Sequence, residues 1–479
     1  MSLLDDLRAA LGDRAVLTDP AETAGYSSDW RRLYSGLPLA VIRPSSTDQV
    51  VRAVTLCAKA GVAIIPQGGN TSMVGGAVPS VDGTEIVLSL ERLRALRAID
   101  PVDLTMTVEA GVTLAAAQAM AAEQGMLLPL SISSEGSAQI GGVLATNAGG
   151  NNTLRFGNAR DLVLGLEVVL ADGQVWHGLR HLHKDNTGYA LRQVFVGSEG
   201  TLGIITAAVL RLQPGVTARA SAFCALPSVE QALALLARLR ARDAGALHAF
   251  EYMSGGSVDL VLAHIEGVAR PVEAAAHYVL VDCAASGPEG AAQALQDRLE
   301  DVLGAALEAG ELTDAALAQN EAQRLAFWKI REEHAEAQKR AGASIKNDIS
   351  VPLAALPELM DAAAAACRAL VPGIRIAPFG HLGDGNIHFN LVQPTGAGGA
   401  AFLAQSEPLM EAVGEVVRRL SGSFSAEHGV GRLKTGMMQS WRGGVELDLM
   451  RRIKSALDPA GRLNPRVIFP AKNAEDAAG

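Results

Sequence analysis

Hydrophobic and polar positions give the two halves of this chain different rhythms. Up to residue 214, short apolar runs alternate with helical patterns and small-residue loops. Residues 2–12 read as an amphipathic N-terminal helix. PLAVIRP, Pro38–Pro44, predicts a short strand between prolines. Ser45-Ser46-Thr47-Asp48 then supplies capping side chains for a helix from Gln49 to Ala60, with Val50, Val51, Val54 and Cys57 on its apolar side. Gly61 ends it, because glycine accepts the left-handed conformation that follows a helix. Strands are predicted at Val62–Pro66, Glu85–Leu90, Thr105–Glu109 and Val209–Leu212, and a helix at Thr113–Gly125 capped by Thr113. Leu164–Leu170 and Val175–Leu179 form a hairpin across Ala171-Asp172-Gly173.

Beyond Pro214-Gly215 the helices lengthen. They are predicted at Leu226–Ala244, Ala291–Leu307, Ala315–Gln338, Pro357–Leu370, Ala401–Leu420 and Val445–Leu457. Strands are predicted at Phe250–Met253, His277–Cys283 and Ser344–Pro352, an antiparallel α+β pattern. Ile387, Phe389 and Leu391 alternate with His388 and Asn390, the period of a half-buried strand. Asp384-Gly385 suits a two-residue type I′ turn, which would set His381 opposite His388. Opposed side chains have Cβ atoms about 4.5–5.5 Å apart, so the two imidazoles could share a metal ion. A hairpin with two surface histidines fits the same residues, and the spacing fixes no third ligand. The segments divide as 1–35, 36–214, 215–424 and 425–479, with the last few residues expected to fray.

Composition narrows the classes. Hydrophobic residues make up 49% of the 479 and charged residues 19%, which indicates a globular chain too long for one core. A net charge of −10 argues against non-specific binding to nucleic acid or anionic membranes. No apolar run reaches the length of a membrane span, and the acids of Met1-Ser2-Leu3-Leu4-Asp5-Asp6 do not suit a signal peptide. Cys57, Cys224, Cys283 and Cys367 are scattered, as in a reducing compartment, so a cytoplasmic location is expected.

Three small-residue loops interrupt the first half. Gln67-Gly68-Gly69-Asn70-Thr71-Ser72-Met73-Val74-Gly75-Gly76-Ala77 follows a strand, and its N–H groups could cradle a pyrophosphate or simply form a flexible turn. It is neither GxGxxG nor GxxxxGK[ST], so a Rossmann-type site is not supported. The second loop runs from Ser133 to Asn152, and the third is Gly197-Ser198-Glu199-Gly200-Thr201-Leu202-Gly203. Two such loops can close on opposite ends of one diphosphate.

PQGGNTSMVGGAVP, SEGSAQIGGVLATNAGG and GSEGTLGIIT occur in this order, followed by HLGDGNIH, EHGVGRLK and a terminal LNP. The set resembles the FAD-linked oxidases of the vanillyl-alcohol oxidase (PCMH) type. It most resembles their branch of D-2-hydroxyglutarate dehydrogenases, D-lactate dehydrogenases and glycolate oxidase flavin subunits. The resemblance implies an α+β fold. Two subdomains would hold FAD, an antiparallel domain would bind substrate, and a short C-terminal segment would return to the flavin. FAD contacts are implied at Pro66, Gln67, Gly68, Gly69, Asn70, Thr71, Gly75 and Gly76. Further contacts are implied at Ser137, Gly141, Gly142, Thr146, Asn147, Gly150, Glu199, Gly200, Ile204 and Asn464. The first histidine is His177, so no histidine in or before the first loop could link covalently to the flavin, and non-covalent FAD is expected.

His381, His388 and Glu427 are implied as ligands of a divalent metal. Zinc is expected first, although the set also matches the facial triad of non-haem iron. His428 is implied as general base, and Arg331, Lys346 and Asn390 as carboxylate-binding residues. The implied reaction oxidises a D-2-hydroxyacid to the 2-oxoacid by hydride transfer from C2 to flavin N5. The two cations favour D-2-hydroxyglutarate or a similar dicarboxylate. Dicarboxylate-specific relatives carry threonine where this chain has Ala335, which keeps D-lactate and glycolate in view. The electron acceptor is left unidentified, with an electron-transfer flavoprotein and a quinone-linked carrier as candidates, and a homodimer is left open. The rival readings are the non-redox lipid-synthase branch and a non-catalytic FAD-binding subunit of an oxidase complex. His177, His181, His183, His248, His264, His277 and His334 are read as structural or surface residues.

Overall fold

The computed structural model describes residues 2–288 and 290–470. The expected fraying of the last residues lies largely outside the described part. The chain divides into two compact units. The first comprises residues up to Gly149, Gly157–Pro214 and the chain from Glu427 onward; the second comprises Gly150–Phe156 and Gly215–Ala426.

The first unit holds two sheets. Val16–Leu17, Ala40–Ile42, Ile86–Ser89 and Ile64–Gln67 lie side by side in that order, the last three parallel. The helix Thr47–Ala60 makes the crossover that parallel strands require. Ser46 Oγ accepts the Gln49 N–H, and Gly61 ends the helix at φ 70°. Its Val50, Ala53, Val54 and Cys57 join Ile42, Ile64 and Leu88 in a core. The other sheet is antiparallel, in the order Leu96–Asp100, Thr105–Glu109, Ile204–Arg211, Val163–Val169, Val175–Gly178. Every residue of Val163–Val169 is buried, so both faces of this interior strand are covered and alternation is absent.

The second unit is built on an eight-stranded antiparallel sheet. Its path is Asp314–Leu317, Ala218–Leu226, His277–Ala285, Leu247–Ser254, Arg375–Gly380, Asn386–Val392 and Ser344–Ile345, with Asp348–Ser350 also paired to Asn386–Val392. The helices Gly255–His264, Glu321–Glu332 and His334–Ala341 contribute to a core that includes Phe223, Tyr278, Trp328 and Phe379.

The predicted helix Ala315–Gln338 is corrected in this unit. Ala315 and Ala316 pair with Cys224 and Phe223 as an edge strand. Asn320 Oδ1 then accepts the Gln323 N–H at 3.0 Å and starts a new helix. Ser344–Pro352 divides at Lys346-Asn347, because Asn347 exchanges backbone and side-chain bonds with Phe389. The strand Ala218–Leu226 and the helix Gly255–His264 were not foreseen. All four cysteines are free and buried, and burial pushes the thiols of Cys57, Cys224 and Cys283 up to about 12. No helix among the described residues is long and apolar enough to cross a membrane.

Candidate functional sites

In the first unit the glycine loops meet backbone to backbone. The strand Ile64–Gln67 delivers Gln67, whose Nε2 donates to the Tyr26 and Ala77 carbonyls at 2.9 and 2.8 Å and so closes the first loop. A methyl on Gly69 would lie 1.9 Å from the Ser137 carbonyl oxygen, and one on Gly68 would lie 3.3 Å from Gly142 Cα. A methyl on Gly141 would lie 2.8 Å from Ala110 Cβ and 2.9 Å from Leu90 Cδ1, and one on Gly75 would lie 2.4 Å from the Tyr34 ring. The third loop reaches the second through the Glu199 N–H, which donates to the Ala145 carbonyl at 2.8 Å. It reaches the first through Gly200, packed on the Pro66 ring. Asn464 ties the ends together: its Nδ2 donates to the carbonyls of Gly76 and Glu199, each at 2.8 Å.

The backbone here is held in costly conformations. Eight described non-glycine residues have positive φ, and Asn70, Asn147, Glu199 and Asn464 are four of them. Such conformations cost on the order of 1–3 kcal/mol each and collect at ligand sites. Thr146 and Ile204 lie on the same loop and strand margins, with Thr146 Oγ1 donating to the Gly142 carbonyl. Thr71 extends the first loop. Gly150 belongs instead to the second unit, where its N–H donates to Thr153 Oγ1.

The EHGVG segment also lies in the first unit. The Glu199 carboxylate accepts the N–H groups of Val430 and Gly431, both at 2.8 Å. Burial pushes its pKa above the usual carboxylate range, against the pull of those two bonds. Although adjacent in sequence, Glu427 and His428 turn toward each other, with Oε1 and Nε2 3.7 Å apart.

The second unit places the histidine motif at the strand pair Arg375–Gly380 and Asn386–Val392. The predicted register is corrected: Phe379, not His381, lies opposite His388. A type I′ turn needs positive φ at both central residues, whereas Leu382–Asp384 forms a 3-10 turn and only Gly385, at φ 86°, is left-handed. His381 therefore leaves the strand. Its ring still meets His388 edge to face, with centroids 5.8 Å apart.

A buried carboxylate holds His381. Glu251 Oε1 lies 2.8 Å from His381 Nδ1, and Glu251 Oε2 accepts the Arg331 Nε–H at 2.8 Å. Burial pushes the Glu251 carboxyl up, but His381 and Arg331 together outweigh it and hold the pKa below the usual range. The Arg331 guanidinium sits 5.0 Å from the centroid of the Phe379 ring. Among the described residues, no protein oxygen accepts from its terminal nitrogens. Lys346 Nζ and Asn390 Nδ2 both donate to Gln338 Oε1, at 2.6 and 2.9 Å. Asp348 Oδ1 lies 3.9 Å from His388 Nδ1 and accepts from Asn386 Nδ2.

Arg331, Lys346, Asn390, His381 and His388 thus lie in one unit: Glu251 and Phe379 link Arg331 to the two histidines, and Gln338 links Lys346 to Asn390. Sequence reasoning missed Glu251 and Gln338 and gave Asp348 no role. The available signal for Glu251 was its being the only acid in the strand Leu247–Ser254.

Residues 38–178 match the family model "FAD binding domain", and residues 216–468 match "FAD linked oxidases, C-terminal domain". The chain belongs to the FAD-linked oxidases. Among its relatives in that family is a D-2-hydroxyglutarate dehydrogenase of Xanthomonas citri pv. viticola, 36% identical over 98% of this chain and 97% of that one. The mitochondrial D-2-hydroxyglutarate dehydrogenase of Bos taurus is 39% identical over 95% and 81%. The D-2-hydroxyglutarate–pyruvate transhydrogenase of Saccharomyces cerevisiae is 34% identical over 96% and 92%. The fold is also that of a solved p-cresol methylhydroxylase, with TM-score 0.74 and 17% identity over 98% of this chain and 97% of that one. Family membership makes the chain an FAD-linked oxidoreductase of the PCMH-type fold.

Proposed function

We propose that this chain oxidises a D-2-hydroxyacid, first of all D-2-hydroxyglutarate, to the 2-oxoacid. The relatives' activity as D-2-hydroxyglutarate dehydrogenases supports this substrate class. The observation that carries it is the group formed by buried Arg331 and His381 with half-buried Lys346 and His388, in which Arg331 and Lys346 offer positive charge to an acid in a chain of net charge −10.

FAD fits the first unit, because the glycines at 69, 75 and 141 leave no room for side chains and their loops present backbone. Pro66–Thr71, Gly75, Gly76, Ser137, Gly141, Gly142, Thr146, Asn147, Glu199, Gly200, Ile204 and Asn464 would hold it, and Gly150 is the remaining candidate. When bound, the flavin supplies a two-electron acceptor for the C2 hydride. A divalent ion also fits the donor set, since a ligating histidine commonly bonds a carboxylate through its other nitrogen, as His381 does with Glu251. His381, His388 and Glu427 would hold such an ion, zinc first, which supplies Lewis acidity toward the substrate hydroxyl. Glu427 and His428 are carried by the motif EHGVGRLK.

Within that assignment, Arg331 presents its terminal nitrogens to a carboxylate, a fork that matches carboxylate geometry. Lys346 and Asn390, fixed by Gln338, orient the remaining acid oxygens. His428 takes the hydroxyl proton. Ala335, in place of the threonine of dicarboxylate-specific relatives, favours a second reading in which the substrate is a smaller acid such as D-lactate.

Anaerobic mixing with glycolate, D-lactate, D-malate and D-2-hydroxyglutarate, followed by flavin bleaching, tests both readings. D-2-hydroxyglutarate is expected to bleach fastest. A faster D-lactate selects the second reading, and no bleaching by any of the four removes the assignment.

A further inference from the structure

Glu251 is the sole acid on the strand Leu247–Ser254 and is 1% exposed. An ionised carboxylate in such a place is costly unless both oxygens are paired. Here each oxygen serves a different partner. Oε1 meets His381 Nδ1 and Oε2 meets Arg331 Nε, both at 2.8 Å. The partners come from distant parts of the chain, 130 and 80 positions away. With Nδ1 committed to Glu251, ligation by His381 falls to Nε2. With Nε committed, the terminal nitrogens of Arg331 are the ones left to meet a substrate.

We propose that Glu251 is a positioning residue that ties the metal-ligating His381 to the carboxylate-binding Arg331, so that one buried carboxylate aligns metal and substrate together. The proposal rests on the reading of His381 and Arg331 given above. A carboxylate is required because only an acceptor on both oxygens can take two N–H donors at once. Glutamine would turn an amine toward one of them. Aspartate, shorter by one methylene, could not reach both.

The test uses the full-length flavoprotein, stripped of metal and titrated with Zn2+ against a chromophoric chelator. Glu251→Gln is expected to weaken Zn2+ binding by about 10–100-fold, the usual cost of losing a carboxylate behind a ligating histidine. At saturating Zn2+, its KM for D-2-hydroxyglutarate is expected to rise about tenfold or more, as when a bond to a charged group is lost, and Glu251→Asp is expected to restore neither quantity. Arg331→Gln keeps Glu251 and every metal ligand, yet is expected to weaken Zn2+ binding by about twofold or more, the lower end of coupling within one network. It decides the matter if Glu251→Gln does not fold.

Wild-type zinc affinity in Arg331→Gln, or wild-type affinity and KM in Glu251→Gln, overturns the proposal. A wild-type protein that binds no divalent ion overturns both the proposal and the reading beneath it. A wild type that binds zinc, beside an unchanged Glu251→Gln, overturns the proposal alone.

Discussion

The flavin loops and the histidine cluster are built from opposite materials. In the first unit the site is made of backbone: glycines where no Cβ fits, and asparagines and a glutamate in left-handed conformations. In the second it is made of side chains that converge from Leu247–Ser254, Glu321–Glu332, His334–Ala341 and the strand pair around His381. A backbone site fails through steric overlap, whereas a side-chain site fails through lost charge and lost donors. The two therefore respond differently to single substitutions.

The largest expected effect is on the side-chain site. His388→Ala should retain flavin but bleach with D-2-hydroxyglutarate at least about 10²-fold more slowly, since Lewis-acid stabilisation amounts to several kcal/mol. Bleaching at the wild-type rate would separate the histidines from the chemistry. Gly69→Ala should do the reverse. Its methyl would fall on the Ser137 carbonyl, and overpacking of about 1–3 kcal/mol should lower flavin content while leaving zinc binding intact. Full flavin occupancy, read from the ratio of visible to ultraviolet absorbance, would show that the loops yield. Smaller still, Ala335→Thr should raise the preference for D-2-hydroxyglutarate over D-lactate by about 10-fold through one added hydroxyl, read as a ratio of kcat/KM. An unchanged ratio would remove position 335 from specificity.

The smallest effect concerns stability. Burial, with Arg155 and Arg219 nearby, holds His248 down at about 3. A histidine lowered on folding contributes stability that is present above its unfolded pKa of about 6.5 and is lost as pH falls toward 3. His248→Gln should therefore flatten the fall of melting temperature below pH 6.5, by about 2–4 °C for each kcal/mol of linkage removed. An identical slope in the variant would assign the acid sensitivity elsewhere.

The same contrast explains what could be read from residues alone. A backbone site writes itself into local composition, so the three loops were visible as glycine-rich stretches after strands, and Asn464 through the short LNP turn. The helix Thr47–Ala60 was equally legible, because Ser46 and Gly61 mark its ends locally. The side-chain site was legible only where a motif clusters its residues, as at His381 and His388. Their register was misjudged because Asp384-Gly385 carries a turn preference that the 3-10 segment overrides. Gln338 left no local mark and Glu251 only that of a single acid in a buried strand, since their meaning comes from partners such as His381 and Lys346 on other elements. The break before Glu321 was hidden by an alanine-rich run compatible with either helix or edge strand.

Asn464 has a consequence for how the protein is made. It joins Gly76 from 388 positions away, and its own N–H donates to Ile64. A ribosome completes both glycine-rich turns long before it synthesises the residue that clasps them. The clasp between the glycine-rich turns is therefore complete only once the stretch around Asn464 has docked.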